Sequence, residues 1–330
     1  FKLIFIQARG LYRKVNLKNL MLPYYVLKSL YQSLRILNEE RPDLVVGTGG
    51  YVSFPVVFSA SLKNIPTLIQ EQNSYPGLST RLLAFFVDRV CLSYLSSIKY
   101  FSTKKKLMVA GNPVREGIVS ASRFEALRNF DLDPNKKTIF IFGGSQGAHA
   151  INLAVLDALD FLSENWQLLW QTGENDFVSV SETVKGKKIK CLVFPFIDDM
   201  SSAYAASDLV ISRAGALTLA EITVSGKPSL LIPYPFATAD HQRYNAEVLQ
   251  KEGAAEIIFQ RDLTGEILAQ RLFSLLSHEE RLKKMEKQSK RMGKPEAASL
   301  LVNEMENLLK KKVYRAPERA ATNPIGSRRL

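Results

Sequence analysis

Residues 136–155 read KKTIFIFGGSQGAHAINLAV. The run Thr138–Phe142 is β-prone and apolar from Ile139 onward, and it feeds Gly143-Gly144-Ser145-Gln146-Gly147-Ala148 before a helical pattern begins. Apolar residues in succession, rather than in alternation, mark a strand buried on both faces, as in a parallel sheet covered by helices. Glycines at its end let backbone approach a ligand, and the unpaired N–H groups of the helix start favour an anion. A tight strand–helix turn with no ligand fits this loop equally well. The loop is not G-x-G-x-x-G, because Ser145 stands where the second glycine would be, and it lacks the G-K-[ST] of a P-loop. Both the NAD and the ATP readings are weakened.

The same grammar extends in both directions. Strands are expected at Lys2–Ile6, Asp43–Val46, Pro66–Ile69, Arg89–Leu92 and Leu107–Val109. A second series is expected at Thr138–Phe142, Gln167–Trp170, Lys190–Phe194, Asp208–Ile211, Ser229–Ile232 and Ala255–Ile258. Helix-length segments separate them, which argues for doubly wound α/β units. The two series break at GNPVREGIVSASRFEALRNFDLDPNKK, a polar and basic stretch with two prolines. The expected division is one domain over 1–116 and a second over 117–295. A helix over 296–312 with apolar Leu300, Leu301, Met305 and Leu308 follows, then a charged tail over 313–330 expected to be disordered.

The totals narrow the chemistry. The 330 residues carry 44 Lys+Arg against 32 Asp+Glu, a net +12, so polyanions or phosphorylated small molecules are favoured partners. No zinc-finger, RRM or helix-turn-helix signature is present, so nucleic acid is not expected. Cys91 and Cys191 form no disulfide framework or metal spacing, which suits a reducing compartment. No apolar run approaches the roughly 20 residues of a spanning helix. The stretch Leu11–Leu37 instead mixes Lys18 and Lys28 with Leu20, Met21, Leu22, Tyr24 and Tyr25. An apolar patch with a basic rim suits an anionic membrane surface. Pro23 is expected to break this segment, with Val26–Leu37 packed as an ordinary amphipathic helix on the sheet.

In open α/β sheets ligands sit at the carboxyl ends of the strands. Four further loops place polar groups there. VVGTGGYVSFPVV offers Gly47, Gly49 and Gly50. IQEQNSYPGLSTRLLA offers Glu71, Gln72 and Asn73, which suit a sugar, or alternatively a helix cap at Asn73 or Ser74. DLVISRAGALTLAEI leads from a strand through Arg213-Ala214-Gly215 to Ala216, Leu217 and Thr218, with Glu221 expected near the first turn. There a carboxylate either complements the helix dipole or accepts both hydroxyls of a ribose. FATADHQRYNAE adds Asp240, His241, Gln242 and Asn245. The Asp131-Leu132-Asp133 run is read as a solvated linker rather than a metal-holding Asp-x-Asp.

As a series, GTGGYVSFP, EQNSYPGLSTRLLA, GNPVR, GGSQGAHAIN, QTG, FIDDMSSAYAASDLVISRAGALTLAEI and DHQRYNAE resemble the MurG family of UDP-N-acetylglucosamine transferases, which convert lipid I to lipid II in peptidoglycan synthesis. The resemblance runs from Phe1 to about Leu309. It implies the GT-B fold, two Rossmann-like doubly wound domains facing across a cleft, and an inverting hexosyltransferase. It implies that Asn73 contacts the sugar, Arg115 reaches the donor phosphates, Ser145 binds the diphosphate, and Ile197 meets uracil through its backbone. Ala216, Leu217, Thr218, Leu219, Ala220 and Glu221 would hold the diphosphate and ribose, and Gln242 the N-acetylglucosamine hydroxyls. Implied partners are UDP-N-acetylglucosamine, lipid I, an anionic membrane surface and other cell-wall synthesis proteins. The implied location is peripheral, on the cytoplasmic side of the bacterial plasma membrane. No cofactor and no protein-held metal are expected.

The family pattern is not matched throughout. Family members open with a strand and a glycine loop carrying a His often assigned to catalysis, and that segment is not found ahead of Phe1. The expectation is an N-terminally truncated chain with a gap in the first sheet. The catalytic base is then unassigned, Glu71 being a weak candidate. Phe54 stands where the family has Gly, and Gln70 where His commonly precedes EQN. The rival readings are a UDP-N-acetylglucosamine 2-epimerase-like isomerase, an inactive UDP-sugar-binding fragment, an NAD-dependent oxidoreductase, and a diacylglycerol-directed glycolipid synthase.

Overall fold

A computed structural model describes residues 2–9 and 21–315, with side chains described through residue 311. The chain divides into two compact units, one running to Gly111 and resuming at Ala298, the other spanning Asn112–Ala297. The division falls ahead of the expected 116/117 boundary.

The first unit holds β1 (Val45–Gly47), β2 (Thr67–Glu71), β3 (Arg89–Leu92) and β4 (Leu107–Val109), all parallel and in sequence order. Its helices are α1 (Leu22–Glu40), α2 (Gly50–Leu62), α3 (Leu78–Leu83) and the final α13 (Ala297–Arg315). Strand β2 is buried at every position, with Ile69 on the core shared with Val57 of α2, and Leu68 on the core shared with Leu301 and Leu308 of α13. Arg89 pairs with the nearly buried Glu304 of α13 at 2.5 Å. Helix α13 continues to Arg315, past the expected end at 312, and residues 316–330 lie outside the described residues.

Two expectations fail in this unit. Lys2–Ile6 is not a strand. A strand exists only where a neighbour accepts its ladder, and these residues run beside α1 instead. Lys2 pairs with Glu40, and the Gln7 N–H donates to Gln32 Oε1 at 2.8 Å. Pro23 does not break α1, because it occupies the first turn, where a missing N–H costs nothing.

The second unit contains α4 (Gly117–Ser120), α5 (Arg123–Asn129), β5 (Lys137–Phe142), α6 (His149–Ala158), β6 (Trp166–Gln171), α7 (Glu174–Thr183), β7 (Lys190–Phe194), α8 (Met200–Ala206), β8 (Leu209–Ser212), α9 (Ala216–Val224), β9 (Ser229–Leu231), α10 (His241–Lys251), β10 (Ala255–Ile257), α11 (Gly265–Leu276) and α12 (Glu279–Met292). Its parallel sheet has the order β10-β9-β8-β5-β6-β7. The chain winds outward from β5 through β6 to β7, returns to β8, and winds the other way. Alternate residues of β5 feed two cores. Ile139 and Ile141 join the cluster with α6 and α11, while Phe140 and Phe142 meet Tyr204 of α8 on the other face. That two-sided burial is why the strand reads as an unbroken apolar run. The winding reverses between β5 and β8, where Phe142 sits opposite Ser212. Such a switch point opens a crevice at the carboxyl ends of the two strands.

Candidate functional site

Both loops at the switch point end in helices whose first turns lack side-chain caps: Ala148 precedes α6 and Gly215 precedes α9. Uncapped N–H groups and the helix dipole make each an anion site. The glycine loop is held tightly on one side and open on the other. A Cβ on Gly147 (φ +74°) would lie 1.9 Å from the Thr172 carbonyl oxygen, and one on Gly173 would lie 2.4 Å from that of Gln146. Gly144 (φ +98°) has nothing within 4 Å. Ser145 is exposed at the open side.

On the β8 side, Leu219 is fully buried and its N–H bonds to the Gly215 carbonyl. The Leu219 side chain therefore does not face a ligand, whereas Leu217 is exposed and Ala216, Thr218 and Ala220 are half-buried. Glu221 stands in the second turn of α9, not the first, so the dipole does not explain it. Its Oε2 accepts from the Tyr204 hydroxyl at 3.1 Å, and its Oε1 lies 3.8 Å from Arg115 Nε. Burial raises the Glu221 pKa, opposed by Tyr204 and Arg115. Arg115 is 57% exposed, so the pair contributes at most about 1 kcal/mol and its guanidinium remains available to another anion.

Gln242 has a narrower role than expected. Its Oε1 accepts from the Ala214 N–H at 3.1 Å and the Tyr234 N–H at 2.9 Å, which leaves only the Nε2 donor for a sugar. Asn245, one turn on, donates to the Ala214 carbonyl at 3.4 Å. The two amides of α10 thus fix the loop ahead of α9. Arg213 turns inward to the Ile232 and Pro233 carbonyls and to Gln260, and burial lowers its pKa. The Ile197 N–H is already bonded to Gln171 Oε1 at 2.8 Å, so its carbonyl is the backbone group left for a base.

Three positioning residues escaped the sequence reading although their motifs were singled out. Gln171 also donates from Nε2 to the Gly144 carbonyl at 3.0 Å, so one buried amide ties the glycine loop to the loop of Ile197. Buried Asn112 of GNPVR donates to the Ala216 carbonyl at 3.3 Å. Tyr204 is the third. A polar side chain on a strand buried at every position must find a partner, and that signal was readable for Gln171.

In the first unit, Glu71 is 3% exposed. Its Oε1 accepts from the Asn73 N–H at 3.1 Å and Asn73 Nδ2 at 3.4 Å, and its Oε2 accepts from the Gly77 N–H at 3.1 Å. A carboxylate so occupied organises the loop rather than removing a substrate proton. Neither Asn73 nor Ser74 caps a helix, since α3 begins after Gly77. Asn73 lies on the loop that Glu71 shapes. Asp131 pairs with Lys190 and Asp133 accepts from the Asn135 N–H, so both aspartates serve a turn. Among the described residues no group of three or more His, Cys, Asp or Glu is placed to hold a metal ion.

Helix α1 is inverted for a surface helix. Ser29, Ser33 and Leu37 are buried, while Tyr24, Leu27, Tyr31 and Leu34 form an exposed stripe, Leu27 and Tyr31 being 68% and 69% exposed. The apolar patch therefore starts at the expected Met21 and Tyr24 and continues over Val26–Leu34, a stretch expected to be packed away. Met21 is exposed, Leu22 and Tyr25 are half-buried, and Lys18 and Leu20 lie outside the described residues. No described helix is long and apolar enough to cross a membrane.

Residues 1–92 match the glycosyltransferase family 28 N-terminal domain, and residues 138–301 the family 28 C-terminal domain. The UDP-N-acetylglucosamine--N-acetylmuramyl-(pentapeptide) pyrophosphoryl-undecaprenol N-acetylglucosamine transferase of Thermodesulfovibrio yellowstonii is 42% identical over 315 residues, covering 94% of this chain and 86% of that protein. The crystal structure of Acinetobacter baumannii MurG aligns with a TM-score of 0.73 at 30% identity, over 86% of this chain and 79% of that one. The chain belongs to the MurG family. Its two parallel-sheet α/β units are those of a MurG-type, GT-B glycosyltransferase. A putative UDP-N-acetylglucosamine 2-epimerase from Listeria monocytogenes aligns with a TM-score of 0.64 at 15% identity, over 91% of this chain and 83% of that one, a likeness of fold alone. The two substituted positions, Phe54 and Gln70, are accommodated. Phe54 stacks on Phe58 at 5.6 Å against the first core, and the buried Gln70 amide donates to Ser93 Oγ and the Gly111 carbonyl.

Proposed function

We propose that this chain transfers N-acetylglucosamine, with inversion, from UDP-N-acetylglucosamine to the C4 hydroxyl of the muramyl sugar of a polyprenyl diphosphate acceptor. The observation that carries the reading is the switch point between β5 and β8. Two uncapped helix starts and a carboxylate are assembled there, in a chain 42% identical to a transferase of that name. The diphosphate would lie on the Ser145 loop and the start of α9, with Arg115 adding charge. Glu221 would accept the ribose hydroxyls, the Ile197 carbonyl would accept from uracil, and Gln242 Nε2 would donate to the sugar. As the glycosidic bond breaks, UDP departs with new negative charge, and donors fixed in advance stabilise it without reorganising. Asn73 belongs to the sugar contacts. No described residue is assigned as the general base.

Transfer of labelled N-acetylglucosamine to a lipid I analogue tests the reading. The expected result is product only when the acceptor is present. Turnover of donor alone would favour the isomerase and sink the transferase. Glu221→Ala should weaken UDP binding about ten- to a hundredfold, the roughly 1.5–3 kcal/mol of a hydrogen bond to a charged group. Unchanged affinity in calorimetry would remove Glu221 from the ribose site.

The inverted α1 supports a peripheral seat on an anionic membrane, where a polyprenyl acceptor resides. An exposed aromatic and aliphatic stripe, with Lys28 Nζ over the Tyr24 ring at 5.7 Å, fits a headgroup boundary. Leu27→Glu with Tyr31→Glu should lower partitioning to phosphatidylglycerol vesicles at least tenfold in a sedimentation assay. Equal sedimentation of the variant and the parent would rule this face out.

A further inference from the structure

Glu221 stands near a strand end, and its environment divides its two oxygens between unlike partners. Oε1 looks toward the solvated Arg115, while Oε2 accepts from a phenol that is itself wholly buried. Tyr204 is fixed from behind. Its ring meets the edges of Phe140 at 5.6 Å and Phe142 at 6.0 Å, the residues of β5 that lead into the glycine loop. Its helix α8 is capped by Asp199, whose side chain accepts from the Ser202 N–H at 3.0 Å. The hydroxyl therefore reaches α9 from a ring that the sheet locates.

We infer that Tyr204 is a positioning residue for nucleotide recognition: it orients the Glu221 carboxylate so that a ribose diol, rather than Arg115, occupies its open lone pairs. The inference rests on the reading of Glu221 as the ribose acceptor. A carboxylate offers about four acceptor sites. The phenol takes one and leaves the others for two hydroxyl donors. A neutral donor suits the task better than a cation, because it orients the carboxylate without cancelling the charge that the hydroxyls are to meet. Burial, then the charge of Glu221, holds the Tyr204 pKa well above its usual value, so the phenol remains a donor at any working pH. Without it, the flexible glutamate would be free to follow Arg115, whose Nη1 is loosely tethered to the Asp198 carbonyl at 3.5 Å.

The test is calorimetry of UDP and 2′-deoxy-UDP on the full chain, comparing parent, Tyr204→Phe, Glu221→Gln and the double variant. The parent should prefer UDP over the deoxy form by about tenfold. Tyr204→Phe should lose roughly five- to tenfold in UDP affinity and less in 2′-deoxy-UDP affinity, since the deoxy form keeps only the 3′-hydroxyl contact, and so narrow the preference. The double variant should match Glu221→Gln. A merely structural tyrosine would weaken both ligands alike and leave the ratio unchanged, and that result overturns the inference. If Tyr204→Phe melts early, a Glu221→Gln variant with an unaltered ratio overturns it as well. A parent that binds ADP as tightly as UDP would defeat the underlying nucleotide reading, a failure distinguishable from that of Tyr204 alone.

Discussion

Replacing Gly147 with alanine is expected to unfold the glycine loop and abolish tight nucleotide binding. Two penalties coincide at this position. The φ of +74° is one that L side chains adopt at a cost of about 1–3 kcal/mol. A Cβ would also meet the Thr172 carbonyl oxygen at 1.9 Å, a contact relieved only by moving backbone, and overpacking of that kind adds roughly 1–3 kcal/mol or more. The loop cannot shift alone, because Gly173 presses on Gln146 from the other side. Gly144→Ala provides the control, since its φ is also positive but the added atom meets nothing. Urea denaturation should show a far larger fall in midpoint for Gly147→Ala than for Gly144→Ala, with UDP affinity lost only in the former. Equal midpoints would mean that the packed loop–loop contact does not hold the cradle.

The second large effect is expected at Glu71. Glu71→Ala removes the acceptor of two backbone N–H groups and of Asn73 Nδ2 in a nearly buried position. Each stranded donor costs about 1–3 kcal/mol, so the two backbone N–H groups alone should cost roughly 2–6 kcal/mol. Hydrogen exchange should show the Gly77 and Asn73 amides deprotected well beyond the change in global stability. Glu71→Gln separates the two roles this residue has been offered. A loop organiser loses stability when an amide NH₂ is turned toward N–H donors. A general base would instead keep its stability and lose turnover by the 10²–10⁴ typical of acid–base catalysis. An unaltered denaturation curve with collapsed turnover would reinstate Glu71 as a catalytic residue.

Much of the architecture was written in apolar runs. Arg89–Leu92, Leu107–Val109 and Lys190–Phe194 are strands with the expected ends, and seven others shift by a residue or two. Lys2–Ile6 failed because periodicity reports what a segment would bury, whereas a strand also needs a neighbour. The inverted face of α1 was hidden for the opposite reason. Its buried serines satisfy themselves on their own helix, Ser29 on the Val26 carbonyl and Ser33 on that of Ser29, so nothing in the pattern showed which side turns inward. At the candidate site, the loops were legible from strand ends and glycines. The partners of individual atoms were not. That Gln242 spends its oxygen on Ala214 and Tyr234, or that Ile197 has no free N–H, depends on which loops the sheet order makes adjacent, and no local motif carries that order.

The bracket made by Gln171 bears on how the site could change over generations. An amide is one of very few side chains that can donate to the Gly144 carbonyl and accept from the Ile197 N–H at once. Glutamate would offer no donor, leucine neither group, and lysine or arginine no acceptor. An inhibitor seated against the backbone on both sides of this amide would face a wall with few viable replacements, and resistance would have to arise elsewhere, at exposed positions such as Ser145 or Leu217.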